Sequence, residues 1–101
     1  MSSKIIVEII GDSMAPIYCN GTKIKCEEVQ ACNWSELSCG VYVFSYANFL
    51  LVRRVKRRPK KNMLRFHSDN PTSGSGSTGS IALQNVSKIW KALRIVDAPA
   101  L

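Results

Sequence analysis

Short apolar runs punctuated by turn residues dominate this chain, and no stretch sustains a helical 3.6-residue period. Residues 5–10 (Ile-Ile-Val-Glu-Ile-Ile) have the length and composition of a buried strand. Behind the Asn20-Gly21 turn, residues 22–26 set Ile24 between Lys23 and Lys25, an alternation that predicts a second strand. Residues 27–38 are polar and irregular, with Trp34 and Leu37 as the expected anchors. Residues 41–46 are β-branched and aromatic, so another strand is expected there, ending in a turn at Ala47-Asn48. Residues 49–57 and 62–67 read as the two arms of a hairpin. Residues 81–83 and 86–96 read as closing strands. Residues 71–80, which hold three of the six glycines, read as a flexible Gly/Ser/Thr loop. The pattern predicts an all-β, compact, mostly antiparallel domain that takes up residues 1–101.

Composition narrows the class. With 101 residues the chain supports one modest core, and 46% hydrophobic residues is ordinary for a globular protein. No apolar run approaches the roughly 20 residues needed to span a bilayer, and no signal-peptide pattern opens the chain, so a cytoplasmic protein without membrane contact is expected. Four cysteines (Cys19, Cys26, Cys32, Cys39) include no Cys-x-x-Cys pair, and the one histidine, His67, lies far from them. Neither a metal site nor a cofactor is expected, and free, largely buried thiols are the reading for a reducing compartment. The net charge of +7 is concentrated: Arg53, Arg54, Lys56, Arg57, Arg58, Lys60 and Lys61 supply half of the fourteen basic residues. Such a block could contact phosphates, but a solvated hairpin tip is the preferred reading, because Arg-Pro-Lys-Lys-Asn is a turn with no aromatics interleaved for base stacking.

The stretch with most chemical content is Gly11-Asp12-Ser13-Met14-Ala15-Pro16, with Asn20-Gly21 behind it. A strand running into Gly-Asp-Ser sets a small hydroxyl at a sharp turn whose N–H groups are free to face a substrate carbonyl. The same residue types also dominate ordinary turns.

Gly-Asp-Ser-Met-x-Pro followed by Asn20-Gly21 resembles the C-terminal peptidase domain of LexA, UmuD and the phage repressors, a family of Ser-Lys autopeptidases. The resemblance continues through Trp34-x-x-Leu37-x-x-Gly40-x-Tyr42-Val43, then Leu51-Val52-Arg53-Arg54-Val55, then Ser68-Asp69-Asn70-Pro71. It implies the compact, signal-peptidase-like β fold, a homodimer paired through the C-terminal region (Ile89, Trp90, Leu93, Ile95), and Ser13 as nucleophile. Gly11, Asp12 and Met14 would then form the oxyanion turn. It also implies a substrate, the peptide linker of a repressor-like chain, and DNA contact only through a helix-turn-helix domain that this chain does not contain.

A serine hydroxyl needs a base, and in this family a lysine supplies it, its pKa drawn from about 10.4 towards about 7–8 by apolar surroundings. The family's Val-Lys-Arg motif falls on Val52-Arg53-Arg54, which puts Arg53 at the lysine position. Val55-Lys56-Arg57 offers Lys56 as a shifted alternative. Strand parity favours Arg53: it shares a face with Phe49, Leu51 and Val55, whereas Lys56 falls among arginines. Guanidinium does not act as a base, so self-cleavage is expected to be lost if Arg53 holds the position. Two other functions compete: a non-enzymatic basic nucleic-acid-binding or interaction module, and a hydrolase acting in trans as signal peptidases do.

Overall fold

The computed structural model describes residues 3–11, 14–15, 17–70 and 78–98. Seven strands form one antiparallel sheet: β1 (Lys4–Glu8), β2 (Lys23–Val29), β3 (Gly40–Tyr46), β4 (Phe49–Val55), β5 (Met63–His67), β6 (Thr78–Ala82) and β7 (Val86–Asp97), in the order β1-β2-β7-β3-β4-β5-β6. The all-β, mostly antiparallel expectation therefore holds. Among the described residues no helix is long and apolar enough to cross a membrane.

β3 explains the layering. Its unbroken apolar run buries both faces, as a central strand requires. Val41 and Val43 enter one core cluster with Val7, Met14, Ile24, Cys26, Val52 and Trp90. Tyr42 and Phe44 enter a second with Val55, Leu64, Ile81, Val86 and Ile89. In sheet order β1 and β4 are separated by β2, β7 and β3, yet Val7 and Val52 share a core. The sheet therefore curls over on that side. β6 and β7 are likewise separated by three strands, and Ile81 and Val86 share the core of the opposite face. The result is two lobes, β1-β2 and β5-β6, curled onto opposite faces of a shared β7-β3-β4 centre.

Tight turns join the arms. Ala47 and Asn48 have φ of 50° and 66° between the paired Tyr46 and Phe49, the two positive values of a type I′ hairpin turn. Trp34 and Leu37 anchor their segment as expected, Leu37 inside the second core and the Trp34 indole donating to the Val29 carbonyl at 2.9 Å.

Several boundaries differ from the sequence reading. β2 runs on to Val29, and a 3₁₀ helix covers Ala31–Glu36. β4 stops at Val55, not 57, and Leu83 opens a short 3₁₀ turn instead of ending a strand. Of the expected loop at 71–80, Thr78–Ser80 belong to β6, while residues 71–77 lie outside the described residues. Gly79 is there for space: opposite Phe66, a Cβ would come within 2.7 Å of its ring. Ile89 and Trp90 are core residues and offer no outer surface for a partner. Only one of the four free thiols is fully buried, Cys26; Cys32 and Cys39 are exposed.

Candidate functional site

The segment between β1 and β2 is a loop closed at its base. Ile9 N–H donates to the Thr22 carbonyl at 2.8 Å, and Gly21 N–H returns to the Ile9 carbonyl at 2.7 Å. Inside that closure Gly11 N–H donates to the Asn20 side-chain carbonyl at 2.8 Å. Gly11 and Gly21 sit at φ of 93° and 90°, in the region that favours glycine. Asn20-Gly21 is thus more than a turn, because the Asn20 amide reaches across the loop and ties down its opposite arm. Met14 is 1% exposed and pins the loop into the first core. Ser13 and Asp12 lie outside the described residues, between the clamped Gly11 and the anchored Met14.

Across from this loop runs the outer edge of β4. β3 covers the inner edge of β4, but β5 pairs with the outer edge only at Arg54↔His67, so among the described residues no strand pairs with the outer edge of Phe49–Arg53. A cleft of about 270 Å³ separates the two, lined by Val7, Glu8, Ile9, Ile10 and Met14 on one side and by Leu50, Leu51, Val52 and Arg53 on the other. Seven of the cleft's nine lining residues are apolar, Glu8 and Arg53 are the charged pair among them, and Ile10 and Leu50 remain exposed at its rim. Arg53 is its only cation. Burial pushes the guanidinium pKa below its ordinary value, and Nη1 donates to the Val52 carbonyl at 2.7 Å. Parity does sort β4 as expected, with Leu51 and Val55 on the second core and Val52 on the first. Arg53 nevertheless lines a cleft that shares Val7, Ile9, Met14 and Val52 with the first core, at the edge of β4 that β5 leaves open.

Lys56 sits elsewhere. It is exposed and lines a separate cleft with Arg57, Arg58 and Lys60, on the far side of the β4–β5 junction. The structure brings Met14 and Arg53 into one cleft and leaves Lys56 outside it.

Sequence reasoning missed the group that holds the junction together. Asp69 accepts a two-pronged bond from Arg54, at 2.7 Å to Nε and 2.9 Å to Nη2. That bond raises the Arg54 pKa further above its ordinary value. Tyr18, packed on the first core, feels both charges; burial raises its phenol pKa against the lowering by Arg54, with Asp69 adding to the rise. The signal was available, since Asp69 is one of only seven acids in a chain with fourteen cations.

Compared with known proteins, the chain matches the family model described as Peptidase S24-like over residues 2–85. No match was found among curated proteins or solved structures. The matched span takes in the clamped loop, the open β4 edge and the cleft between them, and the chain belongs to the Peptidase S24-like family.

Proposed function

We propose that this chain is the LexA-type peptidase-like domain of a repressor-like transcription regulator, with Ser13 at the nucleophile position and Arg53 at that of the base. Self-cleavage is lost, and dimerisation is the function that remains. The observation that carries this reading is the shared cleft: Arg53 lines it together with Met14, the residue next to Ser13, while Lys56 does not. A base must lie within hydrogen-bond reach of the hydroxyl it deprotonates. Burial depresses the Arg53 pKa but leaves a guanidinium charged at any physiological pH, so Ser13 keeps its proton and stays a weak nucleophile. The mostly apolar walls and the free outer edge of β4 suit an extended peptide, pairing its backbone with β4 and laying alternate side chains into the cleft. A repressor-like linker is that peptide.

For dimerisation the support is β7. Beyond Lys91 it keeps β2 on one edge but pairs no further with β3, and this extension exposes Leu93, Ile95 and Val96. A second copy covers that surface. The domain works inside the cell, where the regulator meets its DNA through another domain.

The test joins a LexA-like linker to the domain and incubates it at alkaline pH. The unmodified domain leaves the linker intact, and Arg53→Lys cleaves it, because loss of a general base typically costs about 10²–10⁴ in rate. Cleavage by the unmodified domain that Lys56→Ala abolishes would overturn the assignment. If Arg53→Lys is folded yet inert while Lys supplied at no other position helps, the site has decayed beyond the base and the peptidase ancestry has no chemical remnant.

A further inference from the structure

The second cleft is built by a distortion of the β4–β5 hairpin. At the tip, Lys60 and Met63 exchange both backbone bonds at 3.0 Å around Lys61 and Asn62, whose φ values of 53° and 61° make a tight type I′ turn. At the base, Arg54 pairs with His67. Between these points residues 55–59 face residues 64–66, and no β4–β5 pairing forms. Pro59, which has no N–H to give, cannot restore it. The arms bow apart around a cleft of about 640 Å³, lined by Lys56, Arg57, Arg58, Lys60, Arg65 and His67.

Five permanent cations converge on this space, and none forms an ion pair among the described residues. The β1-β2-β7 ladders pair most of their charges with opposites, Lys25 opposite Arg94 being the exception. Lys4 stands opposite Glu27, Glu8 opposite Lys23, Lys23 opposite Asp97, and Glu27 opposite Lys91. Those strands balance charge in register. The bowed hairpin instead gathers like charges that repel one another, a cost to folding that a bound polyanion offsets.

We propose that this cleft binds the phosphate backbone of nucleic acid without reading its sequence. The chemistry is that of phosphate contacts, which position a strand and carry no base information. Apart from His67 no ring lines the cleft, so stacking supplies little, while arginine forks suit phosphate oxygens. His67 reports on occupancy. Its Nδ1 lies 3.2 Å from the Thr78 hydroxyl, and burial, then Lys56 and Arg65, hold its pKa below the ordinary value.

The experiment measures fluorescence anisotropy of a labelled 20-base-pair duplex of arbitrary sequence across a range of salt. Binding is expected to weaken linearly on a log–log scale, with a slope of about 0.9 per phosphate contacted. Arg57→Gln/Arg58→Gln/Arg65→Gln should flatten that slope by roughly 2–3. Lys25→Gln/Lys88→Gln/Arg94→Gln removes the same charge outside the cleft and should leave most of the slope in place. Equal losses in the two variants, or no binding at low salt, would overturn the proposal. Because His67 is the chain's only histidine, its ring resonance can be titrated cleanly. Saturating duplex should raise its pKa, and a titration that does not move sinks the assignment. Poly-glutamate that displaces the duplex at equal charge would reassign the cleft to acidic peptides. The cleft is independent of the peptidase reading, since Arg53 lines the other cleft and not this one.

Discussion

The two clefts lie on either side of one junction and are built by opposite means. Beside β1, the loop is drawn in: two backbone bonds close its base, Asn20 holds Gly11, and Met14 is buried. The β4–β5 hairpin is pushed apart, held only at its tip and at Arg54↔His67. The first cleft is mostly apolar, with Glu8 and the half-buried Arg53 its charged groups, and the second is crowded with exposed cations. The difference is one of preorganisation. A site for chemistry must fix its groups before substrate arrives, and a loop with a buried anchor does so. A site that only attracts charge needs proximity and tolerates mobile side chains. The chain spends its core residues on the first and its charge on the second.

The sharpest way to break this contrast is to remove the anchor. Met14→Ala empties a fully buried position and should cost about 2–5 kcal/mol, as large-to-small core changes do. If the loop is held by Met14, amide exchange should quicken throughout the loop while β5 and β6 change far less. Uniform loss of protection in both lobes would mean that they are one cooperative unit and the contrast is false.

Next in size is a pH effect confined to the β1-β2 lobe. Cys26 is fully buried in the first core, and burial pushes its thiol from 9.0 up to about 11. The folded pKa is raised, so the buried neutral thiol stabilises the fold fully below pH 9. That stabilisation is lost as pH climbs towards about 11, by about 2–3 kcal/mol at most. Denaturant midpoints at pH 8 and 10.5 measure it. Lysines titrate in the same range, so the readout is the difference from Cys26→Ala, whose midpoint should fall less over the interval. In the folded protein Cys32 and Cys39 should meet a thiol reagent promptly and Cys26 only on unfolding.

The junction itself gives the third test. Asp69→Ala strands an Arg54 that is 31% exposed, so the expected loss is modest, about 1–2 kcal/mol. Since Arg54 is also where β5 joins β4, exchange should rise in β5 more than in the clamped loop. A double-mutant cycle with Arg54→Ala checks that the two residues act as a pair; strictly additive losses would refute this.

How much of this was legible in the sequence follows the same division. β3 was plain because a run buried on both faces can be little else. Its partner β4 was legible up to Val55 and was overextended into Lys56 and Arg57, because nothing in an apolar-to-basic gradient marks where pairing stops. The end of β6 was read at Ile81, but its first three residues, Thr78–Ser80, were lost in the Gly/Ser run, since the reason for Gly79 is the Phe66 ring, a neighbour thirteen positions away in sequence. In the site, residue types pointed to Gly11 and Arg53, but strand parity gives only a face. That the outer edge beside Arg53 is open depends on β5 swinging away, a tertiary fact. Asp69 was quoted as part of a motif, with no clue to its partner fifteen residues back. Charge density was visible, whereas the cleft that collects it was not, because bowing of a hairpin is written in which pairs fail to form.

The smallest expected effect probes the clamp that gives the first cleft its order. Asn20 and Gly11 are both exposed, so in Asn20→Ala the Gly11 N–H can turn to water, and the net cost should be near the lower end for a hydrogen bond, about 0.5–1 kcal/mol. Stability is therefore a poor readout. Local order is a better one: the Gly11 amide should exchange faster while Gly21, bonded to Ile9, should not. In an Arg53→Lys background the same substitution should cut linker cleavage more than it cuts stability, because the residues it loosens flank Ser13. Asn20→Asp keeps an acceptor in place and should restore both the Gly11 protection and the cleavage. If Asn20→Ala leaves the Gly11 amide as protected as before, the loop is ordered by Met14 and the Ile9–Thr22 closure alone, and the side-chain clamp has no part in shaping the cleft.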